Sequence, residues 1–162
     1  EIAWRVTPAA KALGLATVQE GDRDLFDGLF SMMQAGHVDF TLLFRRLGEL
    51  QVEAPDTDAL LRDLFIDRPA FDEWAGRYRA RLRLENSVDA ERRAAMNRVN
   101  PKYVLRNYLA QQAIEHAQNG DYALVHELLA VLEQPFDEQP GKEHYAALPP
   151  DWAAHLEVSC SS

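Results

Sequence analysis

Apolar side chains in this sequence recur at steps of three and four almost from end to end, and no alternating run between turn signals competes with that spacing. The periodicity confines the chain to an all-α fold of antiparallel helices and hairpins. Leu25, Phe26, Leu29, Phe30 and Met33 define one such face, opened by Asp22 or Asp24 and closed by Gly36. Asp39 is placed to cap a helix with Phe40, Leu43, Phe44 and Leu47 inward, and Asp56 or Thr57 starts another carrying Leu60, Leu61, Leu64 and Phe65. Thr7-Pro8 reads as a cap followed by a first-turn proline, opening a short helix that stops near Gly14.

From Pro69 to about Glu85 the spacing predicts a helix with Phe71, Trp74, Tyr78 and Leu82 on one side, then a break at Asn86-Ser87 and a polar helix through Val99. Asn100-Pro101 marks the next boundary, because proline disfavours helix at the residue before it and suits the first turn of a new one. The helix expected from Pro101 buries Val104, Leu105, Tyr108, Leu109 and Ile114 and ends at Asn119-Gly120. Asp121 then caps a partner helix with Leu124, Val125, Leu128, Leu129 and Leu132 inward, giving a helical hairpin. Beyond Pro135 the punctuation thickens with Pro140, Gly141, Pro149 and Pro150, while Phe136, Tyr145, Trp152 and Leu156 remain as anchors. The expected organisation is therefore a helical region over 1–134 and an extended tail over 135–162.

A net charge of −9 sets this domain against phosphate-rich surfaces, so neither nucleic acid nor an anionic membrane is an expected partner. No stretch approaches the roughly 20 apolar residues that span a bilayer, and the opening Glu1-Ile2-Ala3-Trp4-Arg5 does not resemble a signal peptide. A cytoplasmic location is the corresponding expectation. A chain that begins in mid-pattern without Met reads as a piece of a longer protein.

Chemistry-bearing residues are sparse. His37, His116, His126, His144 and His155 form no pair at metal-ligand spacing, and no metal site is expected. The eight glycines belong to no phosphate-binding fingerprint. Arg77, Arg79, Arg81 and Arg83, interleaved with Trp74 and Tyr78, would suit a nucleic-acid surface if they shared a face, but a two-residue step turns a helix by about 200°. They divide over two sides, and salt bridges to carboxylates are the expected use. Arg106 and Asn107 stand one turn into the predicted Pro101 helix, either on its exposed face or reaching a carboxylate or phosphate of a neighbouring domain. The only cysteine, Cys160, lies two residues from the end among serines, too alone for an internal disulfide or zinc cluster. It is a surface thiol without a role or a redox-active one that pairs elsewhere.

Several segments, in order, carry a resemblance. Gln19-Glu20-Gly21-Asp22 with Leu25-Phe26 and Leu29-Phe30, Phe65-Ile66-Asp67-Arg68, Asn100 through Asn107, Ala113-Ile114-Glu115-His116-Ala117, Gln134-Pro135-Phe136, Pro149-Pro150-Asp151-Trp152 and Val158-Ser159-Cys160-Ser161-Ser162 resemble the C-terminal region of the selenoprotein O family, also called YdiU. The resemblance implies a parent enzyme with an atypical protein-kinase-like, pseudokinase-related fold that transfers AMP from ATP, with Mg²⁺, to Ser, Thr or Tyr hydroxyls of proteins. ATP and Mg²⁺ would be held by the upstream kinase-like core, so no catalytic, cofactor-binding or metal-binding residue carries over and the fragment itself is expected to be non-catalytic. Its implied partners are that upstream domain and the protein substrates. Cys160 occupies the position where many eukaryotic members have selenocysteine, which makes it the candidate for a redox-regulatory disulfide with the core.

Two other readings compete. An independent helical adaptor would use stacked hairpins, such as that of Pro101 to Glu133, as a peptide-binding surface, although no fixed-period repeat supports an array. A standalone thiol enzyme would need a base held beside Cys160, and no histidine is obliged to stand there. A severed domain should expose an apolar patch where its core docked, whereas an adaptor should be monomeric.

Overall fold

The structure is a computed structural model that describes residues 8–153. Eight α-helices follow in order among the described residues: α1 (Pro8–Ala12), α2 (Asp22–Gly36), α3 (Phe40–Leu47), α4 (Ala59–Arg62), α5 (Arg68–Leu84), α6 (Asp89–Asn97), α7 (Asn107–Gln118) and α8 (Ala123–Leu132). Short 3-10 turns precede α4 and punctuate the residues after α8, and there is no strand among the described residues. The all-α fold read from the periodicity is the fold observed.

The chain divides into two compact units at Asn100/Pro101. In the first unit α5 is the spine. Its Phe71, Trp74, Tyr78 and Leu82 are each 1% exposed or less, as the spacing predicts, and pack with Leu29, Leu43, Leu47 and Met96 in one core. Asp39 accepts the Leu42 N–H at 2.8 Å and Asp67 the Ala70 N–H at 3.0 Å, so two carboxylates cap α3 and α5. Thr7, the expected cap of α1, lies outside the described residues.

Some expected faces turn out differently. Helix α2 starts at Asp22, but its cap is the left-handed Gly21, because the Asp22 carboxylate is taken by the Gln19 N–H and by Arg81. Phe40 is exposed and leans on Phe44 at 4.6 Å between ring centres. The expected fourth helix shrinks to one α-helical turn behind Pro55–Asp58, and Leu60 faces solvent while Leu61 and Phe65 are buried.

The largest correction is in the second unit: no helix begins at Pro101. The N–H groups of Lys102 and Tyr103 both donate to the Pro135 carbonyl, at 2.7 and 3.1 Å, and the Tyr103 ring is fully buried. That tether keeps residues 101–106 non-helical, and α7 starts only at Asn107, which leaves Leu105 and Ile114 exposed and Val104 half-buried. Helices α7 and α8 form the expected hairpin around Tyr108, Leu109, Ala113, Leu128 and Val131, but Val125 and Leu129 face outward. Tyr145 and Ala153 belong to the same core and Trp152 meets Tyr108 edge-on, so the described part of the expected tail packs on its own hairpin.

Candidate functional site

The alternating arginines of α5 do what a 200° step requires: they serve opposite sides of the helix. On one side Arg79 donates to Asp58 at 2.5 Å and to the Gln51 carbonyl at 3.0 Å, and Arg83, one turn on, donates to Glu53 at 2.8 Å and to the Val52 carbonyl at 3.0 Å. These two fasten the segment between α3 and α4. On the other side Arg81 reaches Asp22 at 2.5 and 3.1 Å, Glu85 at 2.9 Å and the Thr17 carbonyl at 3.0 Å. Glu85 completes the grip by accepting the Ala16 and Thr17 N–H groups and the Thr17 hydroxyl.

The electrostatics follow from this wiring. Burial pushes the Glu85 carboxyl up, but the Ala16 N–H, Arg81 and Thr17 together outweigh it and hold Glu85 below the ordinary range. The Arg81 guanidinium is raised, chiefly by its bond to Asp22. Burial raises the Tyr78 phenol, whose O–H donates to the Leu13 carbonyl at 2.5 Å. With the Trp74 indole donating to Leu25 at 2.8 Å, α5 holds both α1's exit and α2 by single buried bonds.

The loop gripped by Arg81 and Glu85 walls a groove of about 670 Å³ between α1 and α2. Ala10, Leu13, Leu15, Val18 and Phe26 give it an apolar lining, and Glu20, Asp22, Arg23 and Asp27 bring charge to it. Such a surface is suited to holding apolar side chains of another segment. A second opening of about 390 Å³ lies over Asp58, Arg62, Asp72 and Arg79, where the Arg62 to Asp72 fork at 2.7 and 2.8 Å draws the Asp72 carboxyl down.

The structure separates the sequence-derived candidates. Cys160 and His155 lie outside the described residues. His37 closes α2 in a left-handed conformation, His116 meets Asp121 at 3.2 Å and His144 packs on Tyr145. Arg106 is not inside a helix but at the extended residue preceding α7. Sequence reasoning passes over three buried polar groups of the first unit: Asp58, which accepts from Arg79 at 2.5 Å, Arg92, which donates to the Leu50 carbonyl, and Asn100, which donates to the Ala12 carbonyl at 2.9 Å. Arg92 had a signal, Asp89 three residues ahead of it on a polar helix. Among the described residues no three His, Cys, Asp or Glu side chains gather to hold a metal ion, and no helix is long and apolar enough to cross a membrane.

The family model described as "Protein adenylyltransferase SelO" matches residues 7–133 of this chain. The chain is 64% identical over 150 residues to the protein nucleotidyltransferase YdiU of Herminiimonas arsenicoxydans, covering 93% of this chain and 30% of that protein. It is 58% identical to the protein of the same description in Burkholderia orbicola and 59% identical to that of Burkholderia pseudomallei, each over 93% of this chain and 29% of the relative. The chain thus spans less than a third of the length of these curated relatives.

Proposed function

The chain belongs to the SelO family of protein adenylyltransferases, and we propose that its parent transfers AMP from ATP to Ser, Thr or Tyr hydroxyls of proteins. The family match over residues 7–133 carries this reading. In the transfer the acceptor oxygen bonds to the α-phosphorus, pyrophosphate leaves and the hydroxyl proton is released. ATP and Mg²⁺ supply the activated phosphate and its charge neutralisation in that reaction.

The role of this chain is to pack as a helical body on the upstream kinase-like part. Its apolar groove between α1 and α2 is the kind of surface such packing uses. The terminal Cys160 forms a disulfide with a cysteine of that part, the two thiols giving up two protons and two electrons to a cellular disulfide that is itself reduced to thiols. Reduction breaks that disulfide and raises transfer. The working compartment is the cytoplasm.

The test is AMP transfer from α-labelled ATP with Mg²⁺, run on the full-length parent and on the 162-residue chain. Label on protein with the parent and none with the chain is the expected result. Transfer by the isolated chain, or none by the parent, would overturn it. Loss of the response to reductant in Cys160→Ser is expected; a response that persists removes the redox part alone.

A further inference from the structure

Helix α8 is more apolar than its place in the fold uses. Leu124, Leu128, Val131 and Leu132 face the core of the second unit, while Tyr122, Val125 and Leu129, at spacings of three and four, continue the apolar arc outward. These three are 56%, 38% and 56% exposed. His126 and Glu133 follow on the polar edge of the strip and are exposed.

The charge of the unit that carries this strip is one-sided. The unit from Pro101 to Ser162 holds nine acidic side chains, among them Glu115, Asp121, Glu127, Glu133, Asp137 and Glu138, against Lys102, Arg106 and Lys142. Both lysines are already engaged, Lys102 with Glu138 and Lys142 with Glu127. A second copy of the unit would bring like charge against like charge, and nucleic acid or anionic lipid would be repelled in the same way.

We propose that the strip Tyr122, Val125 and Leu129 on α8 is a docking site for a basic amphipathic helix of a partner protein. The apolar stripe of such a helix lies on the strip, and its flanking Lys and Arg residues meet Glu133 at the strip's edge and the acidic surface of the unit. That is the helix-on-apolar-face mode with charge setting partner choice. The inference is independent of the reaction the parent performs.

The probe is a designed, fluorescein-labelled helix of about five turns with a Leu/Phe stripe flanked by Lys and Arg, titrated into the full-length parent by anisotropy. A second probe keeps the stripe and carries Glu at the flanks. The basic helix is expected to bind at least ~10-fold more tightly than the acidic one and to weaken with salt. Leu129→Glu should cost it ~10-fold or more, and Glu133→Lys should narrow the gap between the two probes. Both variants change exposed positions, and unchanged far-UV circular dichroism confirms that they fold. Equal binding of the two probes, binding unaffected by Leu129→Glu, self-association through this face, or a Leu129→Cys thiol shielded from maleimide in the free parent would each overturn the proposal.

Discussion

Both units bury apolar and aromatic side chains, but the buried charged groups among the described residues, Asp58, Arg79, Arg81 and Arg92, all belong to the first. In the first, α5 sends guanidinium groups to both sides: buried Arg79 and the more exposed Arg83 hold the stretch after α3, and buried Arg81 with Glu85 holds the stretch before α2. In the second, Tyr103 packs under the chain after α8 and the Pro135 carbonyl accepts two N–H groups. Its ion pairs, Lys102 with Glu138 and Lys142 with Glu127, sit nearer the surface. A buried guanidinium can satisfy several loop acceptors at once, so an irregular segment becomes as fixed as a helix.

The largest effect should come from breaking the first unit's wiring. Arg81→Met takes the neutralising cation from Asp22 and Glu85, which are 12% and 3% exposed at the side chain, and should cost about 3–5 kcal/mol in urea denaturation. A loss under about 1 kcal/mol would mean that the arginine does not hold the loop. In the second unit the matching experiment is a pair on one helix. Leu128→Ala should cost about 2–5 kcal/mol, while its exposed neighbour Leu129→Ala stays within about 0.5 kcal/mol. Equal losses would place the strip of α8 in a core.

A third experiment uses pH. The Glu85 carboxyl is held below its ordinary value near 4.5 in the folded protein, so its contribution is complete above that value and is lost as pH falls through the lower folded one. Below about pH 4.5 the first unit should lose stability faster in the wild type than in Glu85→Gln, as read from urea midpoints across pH. Parallel curves would contradict the assignment. The smallest effect sharpens a local detail: Gly14 has φ +71°, and an added Cβ would come within 2.6 Å of the Arg92 side chain. Gly14→Ala should destabilise by about 1 kcal/mol or more, against the gain alanine gives at an unstrained site.

The helices were legible because their faces are strictly spaced; Phe71, Trp74, Tyr78 and Leu82 predict their own burial. Opposite-sided arginines on α5 were legible from the same geometry. Less legible was anything decided by distant backbone. Pro101 has the right chemistry to open a helix, yet the Pro135 carbonyl, 34 positions on, holds the following residues extended. Asp22 has the right chemistry to cap α2, yet Arg81 takes its carboxylate from 59 positions away. Helix α8 is apolar on so much of its surface that periodicity alone put Val125 and Leu129 inside and passed over Val131. The motif resemblance reached the family, while the groove and the strip on α8 required coordinates.

The central claim is that two units of this chain are held by different means, and hydrogen exchange resolved by peptide in wild type and Arg81→Met tests it most directly. Faster exchange in residues 15–36 and 68–84 with α7 and α8 unchanged is the predicted result. A uniform rise across both units, or a rise confined to α7 and α8, would contradict it.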